Sequence, residues 1–210
     1  MNGVSIGLLA VAALVPTLGQ AQQPTPLPEL SYNYAELSYD EGDFELEGAD
    51  GIDGDGLTLS GSFELTEDWH AYASFTNSDL DSSIDVDTWA LGAGYRYPLQ
   101  DNVDIYGRVL YIDRGVDGPG PFAADADDDG LGLQARIRMR VSEVFEVEGG
   151  IQHLDVGDSD TALQASARYH FTRNFSAGIG LTFAGDTDSL GIAAALNTPI
   201  GETTFGVFRM

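Results

Sequence analysis

Two groups of residues in this sequence have the types and spacing to do chemistry at a ligand. Asp125-Ala-Asp127-Asp-Asp129-Gly130 places carboxylates at alternate positions before a glycine. That is the opening of a loop whose oxygen ligands converge on a hard cation. The twelfth position of such a loop should be a bidentate Glu and is Arg136, so a complete calcium loop is excluded. What remains is an expectation of weak, unselective Ca2+ or Mg2+ binding at Asp125, Asp127 and Asp129, with Asp50-Gly-Ile-Asp-Gly-Asp-Gly56 as a second acidic turn. His70, His153 and His170 with Ser74, Ser159 and Ser166 supply the residue types of a hydrolase triad. No G-x-S-x-G elbow presents any of these serines, and the histidines read as polar groups in a lumen or on a surface. Gly178 and Gly180 alternate without a following helix, so they form no phosphate loop. The expectation is a protein that is not an enzyme and carries no dedicated cofactor.

The third group is structural in its chemistry. All nine basic residues are Arg, against 34 acids, for a net charge of -25. Phosphate binding rests on clustered Lys and Arg that replace counterions, so a nucleic-acid partner is excluded. The absence of Cys excludes disulfides, thiol catalysis and Cys-ligated zinc.

The elements that must hold these residues repeat with period two. From 131 to 141 Leu131, Leu133, Ala135, Ile137, Met139 and Val141 alternate with polar residues or glycine, and the same split recurs at 57 to 65 and 88 to 97. Seven further segments, at 33 to 39, 69 to 76, 103 to 112, 145 to 153, 162 to 171, 175 to 184 and 189 to 196, bring the expected strand count to ten, with eight or twelve left open. At about ten residues each, they have the length of tilted strands crossing a bilayer. The fold class expected is all-β, an antiparallel transmembrane β-barrel.

Charge placement supports this geometry. Arg96, Arg108, Arg136, Arg138, Arg140 and Arg168 all fall on the polar face of their strands, where they escape the roughly 2 to 4 kcal/mol cost of a central lipid-facing charge. If 142 to 144 closes a three-residue hairpin, Arg140 lies opposite Glu146 and Arg138 opposite Glu148, as a lumen charge network. The connections at 66 to 68, 98 to 102, 142 to 144 and 172 to 174 are short. Those at 40 to 55, 77 to 87, 113 to 129, 155 to 161 and 185 to 188 are mostly longer and hold two thirds of the 34 acids, as expected of outer loops. Trp69, Tyr97, Phe145, Tyr169, Phe171 and Phe175 gather near the short turns like an interfacial girdle.

The termini complete the organisation. Residues 1 to 21 are uncharged, apolar and end Gly19-Gln20-Ala21, as in an export signal. Pro24, Pro26 and Pro28 make 22 to 30 an extended leader, the barrel is expected at 31 to 196, and 197 to 210 is a C-terminal segment with an extra strand at Thr203 to Met210 left open.

Ser31-Tyr-Asn-Tyr34, Asp55-Gly-Leu-Thr-Leu-Ser-Gly-Ser62, Asp87-Thr-Trp-Ala-Leu-Gly-Ala-Gly-Tyr95 and Val103-Asp-Ile-Tyr-Gly-Arg-Val-Leu-Tyr111 resemble the diffusible-signal-factor-regulated family of small bacterial outer-membrane proteins. The resemblance covers about residues 31 to 196 and implies an outer-membrane barrel linked to surface behaviour, with no catalytic residues. The chain departs from it at 197 to 210, where such barrels finish on an aromatic closing strand. The expected function is a non-catalytic, monomeric outer-membrane barrel with acidic extracellular loops. Its expected partners are outer-membrane lipid, lipopolysaccharide and, during biogenesis, the barrel-assembly machinery. The alternatives are a narrow channel for small solutes and a soluble exported ligand-binding barrel with its apolar face inward.

Overall fold

The computed structural model describes residues 30–44, 52–80, 84–117, 126–184 and 187–197. The export signal, nearly all of the Pro-rich leader, Asp50, Asp125 and the proposed extra strand lie outside the described residues.

Ten antiparallel strands close into a barrel: β1 Tyr34–Phe44, β2 Ile52–Glu64, β3 Trp69–Leu80, β4 Ile84–Gln100, β5 Val103–Asp117, β6 Ala126–Arg140, β7 Phe145–Val156, β8 Asp158–His170, β9 Phe175–Phe183 and β10 Thr187–Asn197. Each strand pairs with its sequence neighbours, and β10 returns to β1 from Tyr34↔Asn197 to Phe44↔Thr187. Closure leaves no strand edge unpaired, and it is complete without a strand beyond Asn197. Side chains alternate along the strands, and apart from the register shift between Pro98 and Gln100 at the end of β4, odd positions of β1 to β9 and even positions of β10 point outward. Leu59, Leu91, Leu133, Leu163, Ile179 and Ile192 are each more than half exposed there. An apolar wall facing out and charges facing in is the arrangement for lipid, and it overturns the soluble-barrel alternative.

Three of the short turns share one construction. Leu65, Val141 and Phe171 donate their backbone N–H to the carbonyls of Trp69, Phe145 and Phe175 four residues on. In two of them the next residue, Thr66 or Thr172, accepts the returning strand's N–H on its hydroxyl, a local bond that fixes the turn. Residues 141–144 form a four-residue turn that sets Arg140 across from Glu146 and Arg138 across from Glu148.

At the opposite end the strands run well past the positions where apolar alternation stops. β4 starts at Ile84 and β6 at Ala126, so 84 to 87 and 126 to 129, expected as loop, are strand. The change from apolar to acidic side chains marks the edge of the lipid layer, whereas the backbone ladder needs only a partner strand and continues above it. Three outer connections are short, with β7 entering β8 through Gly157 alone, whose φ of 70° lies in the left-handed region open to glycine.

Candidate functional site

The inward-facing residues of β6 and β7 build the centre of the lumen. Arg136, Arg138 and Arg140 are consecutive inward positions of β6; Glu146, Glu148 and Gly150 stand opposite on β7. Gly150 presents no side chain, and a Cβ there would meet Arg136 Cγ at 2.6 Å. Arg136 therefore lies over it and donates to Glu148 Oε1 at 2.6 Å. Arg138 donates to Glu146 Oε1 at 2.6 Å and stays 4.0 Å from Glu148, while Arg140 takes the other Glu146 oxygen at 3.0 Å. His170 Nε2 stands 3.4 Å from Glu146. On the far side Arg168 crosses above the small residues of β9 and β10 to ion-pair with Glu36 on β1. Arg96, at the turn end, is 3.7 Å from Asp104.

This layer holds a segment that precedes the first strand. Leu30 is 2 % and Tyr32 0 % exposed. The Tyr32 and Asn33 side of the chain is clamped by Glu64: Tyr32 N–H and Asn33 Nδ2 donate to its two carboxylate oxygens at 2.8 and 2.9 Å, and Glu64 N–H donates to Asn33 Oδ1 at 2.8 Å. Arg138 donates to the Ser31 carbonyl at 2.8 Å and Arg96 to that of Leu30 at 3.1 Å. The Tyr32 ring stacks on His70 at 4.7 Å, meets Tyr106 edge-on at 5.4 Å, and carries the guanidinium groups of Arg138 and Arg96 at 5.1 and 5.6 Å, cation–π contacts in a site screened from water. Residues 30 to 33 are thus a plug in the turn end of the barrel. Leu30 belongs to it and not to an extended leader.

Above the plug the lumen opens into a cup of about 360 Å3. Its form comes from β5, whose inward side chains Tyr106, Arg108, Leu110 and Ile112 are all bulky and buried. Its neighbours make room with glycine: a Cβ at Gly92 would strike the Val109 carbonyl and the Leu110 side chain, and one at Gly94 would strike His70 and Arg108. Leu110, Ile112, Ala90 and Val156 pack with Tyr72 and Leu154 into an apolar inner wall. Ser38, Thr58, Ser60, Ser166 and Thr182 face it across the cup. Arg108 sits at the base of the apolar wall, 6 % exposed. Its Nε donates to His70 Nε2 at 3.0 Å, which makes His70 a neutral imidazole, and its Nη2 donates to the Tyr34 hydroxyl at 3.2 Å. The rings of Tyr72 and Tyr106 lie 4.4 and 4.8 Å from its guanidinium carbon. The charged groups lining the cup are Arg108, Arg114, Arg136, Arg138 and Arg168 against Glu36, Asp40 and Glu148, an excess of cations inside a protein of net charge -25.

Five acids of the outer end occupy the other face, whereas Asp40 lines the cup. Glu41, Asp55, Asp79, Asp85 and Asp117 are exposed, odd-numbered positions, and the register makes each the direct cross-strand neighbour of the next over five strands. They form an acidic ladder on the outside of the barrel wall. Below it Tyr39, Phe75, Trp89, Tyr111 and Phe183 form a second aromatic girdle, with Phe75 and Trp89 rings 4.5 Å apart, matching the one at the turn end where Trp69, Tyr97, Phe171 and Phe175 are exposed.

Asp127 and Asp129 lie on β6 with exposed side chains, in line with Leu131, and not in a loop. Among the described residues no three His, Asp or Glu side chains converge as a metal site. The three histidines are likewise dispersed: His70 lies under the plug, His170 beside Glu146, and His153 bonds Thr161 at 2.8 Å near the outer end. Ser74 and Ser166 line the cup and Ser159 is at the outer end of β8, so histidines and serines gather on no common centre. The plug, the apolar inner wall and the second girdle escape the alternation pattern; the hint to the second was β5 itself, apolar on both faces at 109 to 112.

An apolar outer band between aromatic girdles, a charged lumen and a closed antiparallel ring define a β-barrel of the bacterial outer membrane. Residues 7–183 match the model of the outer membrane protein beta-barrel domain, and the chain belongs to that family. Among solved structures it is similar to the KdgM porin in complex with disordered oligogalacturonate (8% identity, 79% of this chain and 99% of that one, TM-score 0.49). It is also similar to neisserial surface protein A (14%, 80% and 98%, 0.44) and to Ail, the attachment invasion locus protein of Yersinia pestis (15%, 79% and 100%, 0.41). No curated protein sequence matches it.

Proposed function

We propose that this protein is a non-catalytic, monomeric surface barrel: sealed toward the periplasm, open as a cup toward the exterior, and acting through its outer face. The observation that carries this reading is the plug, Leu30 to Asn33, held in the turn end by Glu64, Arg96 and Arg138. Short turns mark the periplasmic side of such barrels, so the seal is periplasmic and the mouth is extracellular. A solute entering the cup meets Tyr106 and the Arg136–Glu148 and Arg138–Glu146 pairs before it meets the plug, which disfavours the narrow-channel alternative. The acidic ladder stands where lipopolysaccharide phosphates surround the barrel. Carboxylates at that spacing repel one another and the lipid, and loosely held Ca2+ or Mg2+ bridging carboxylate to phosphate relieves both. Within its family we place the chain with the diffusible-signal-factor-regulated group, on the Ser31–Tyr34, 55–62, 87–95 and 103–111 segments; the first of these holds three of the plug's four residues. Planar-bilayer recording tests the reading: the wild-type protein should give no stable single-channel steps, and reproducible steps would overturn it.

A further inference from the structure

We infer that the cup is a binding site for a small organic anion with an apolar part, whose acidic group meets Arg108 while the remainder lies on Leu110, Ile112 and Leu154. The inference rests on the cup being closed below. A guanidinium taken out of water is strongly unfavourable unless it is paired. Every other arginine of the central layer is ion-paired: Arg136 with Glu148, Arg138 and Arg140 with Glu146 between them, and Arg168 with Glu36. Arg108 is as buried as they are, yet its partners are a neutral imidazole, a phenol and two aromatic rings. Among the described residues no carboxylate comes within ion-pairing distance of it, and Glu148 is already held by Arg136 and by the Tyr106 hydroxyl at 2.8 Å. The two tyrosine rings orient the guanidinium plane, and a planar fork is the group that recognises a carboxylate at two points.

The surroundings fit such a ligand. The cup's volume, about 360 Å3, falls at the lower end of small-molecule sites, and its apolar wall begins one inward position above Arg108, at Leu110. The approach is not barred by the acidic ladder, because those side chains point away from the lumen, while Thr58, Thr76, Thr88 and Thr182 face inward.

Titration calorimetry of the detergent-solubilised chain with benzoate and with its uncharged analogue benzamide tests this. Benzoate should bind with a dissociation constant of about 1 mM or tighter and benzamide at least about tenfold more weakly. Arg108→Gln should lose benzoate by a similar factor, and Leu154→Trp, which fills the cup without changing a charge, should lose it as well. Arg173→Gln, at a periplasmic turn, should bind like wild type. Equal binding of benzoate and benzamide, unchanged binding by Arg108→Gln, or no benzoate binding at about 10 mM would each overturn the inference. If Arg108→Gln does not assemble, the benzoate–benzamide difference on wild type and its loss in Leu154→Trp decide alone. Absent binding with a silent bilayer recording sinks only the anion site, whereas channel steps sink the sealed cup.

Discussion

Arg138 bonds Glu146, one step diagonal from Glu148, the residue directly opposite it on the ladder. The displacement starts at Gly150: Arg136 has no side chain across from it, moves onto Glu148, and leaves Arg138 to share Glu146 with Arg140. Register is set by the turn, but partner choice is set by which facing position is empty.

This arrangement predicts unequal couplings. A double-mutant cycle for Arg138 and Glu146, read by urea unfolding from lipid vesicles, should give about 2 kcal/mol, and one for Arg138 and Glu148 under about 1 kcal/mol. Glu146→Gln alone should be the costliest single change in the layer, about 3 to 5 kcal/mol, because it leaves two buried guanidinium groups short of a counter-charge. Equal couplings would mean that the opposite pair carries the network after all.

The same contrast shows how much was legible in advance. Strand number, faces and the 138–148 register follow from alternation and one turn length, because the sheet period is two residues and the lipid enforces it. The diagonal shift does not follow, since it depends on where one glycine stands. Leu110 and Ile112 were misleading for the opposite reason: an inward apolar residue breaks no rule of a lumen wall, so β5 could not be read as the strand that fills the barrel. The outer ends of β4 and β6, 84 to 87 and 126 to 129, look like loop in the sequence because acidic side chains end the apolar pattern while the backbone pairing continues. The plug has no periodicity at all; only Ser31–Tyr34, among the segments that carry the family resemblance, pointed toward it.

Outward and inward faces predict opposite tolerance to charge. Ile137 is outward and about half exposed, near the middle of the apolar stretch 131 to 141; Thr182 faces the cup. Ile137→Arg should cost about 2 to 4 kcal/mol and reduce the heat-modifiable, folded fraction, whereas Thr182→Arg should assemble nearly as well as wild type. Comparable losses in both would contradict the assigned faces.

Removing the plug's anchor should uncouple closure from assembly. Tyr32→Ala deletes the ring that His70, Tyr106, Arg96 and Arg138 surround, at a cost of about 3 kcal/mol. The barrel's ladder does not depend on it, so the variant should still insert. In planar bilayers it should show intermittent conductance steps where wild type is silent. A silent, fully folded Tyr32→Ala barrel would mean that the charged layer alone seals the lumen.

The acidic ladder gives a pH dependence of defined sign. Asp79, four residue pairs above the Phe75–Trp89 girdle and so outside the lipid, has its carboxyl raised above the ordinary range. The hydrogen bond that protonated Asp79 donates to the Asp85 carboxylate is the largest cause, followed by desolvation and the charges of Asp85 and Asp55. A raised carboxyl binds its proton more tightly folded than unfolded, so its ionisation opposes folding. The penalty is absent below the ordinary carboxylate pKa, grows as pH rises through the folded value, and is complete above it. Asp79→Asn should therefore raise the melting temperature at neutral pH and lose that advantage as the pH is lowered toward 4, roughly the unperturbed Asp pKa. Millimolar Mg2+ should shrink the same difference at neutral pH by screening or bridging the carboxylates of the wild type. Thermal unfolding across pH, with chelator and with Mg2+, reads both effects; a variant no more stable than wild type at neutral pH in chelator would remove the repulsion from the account of this wall.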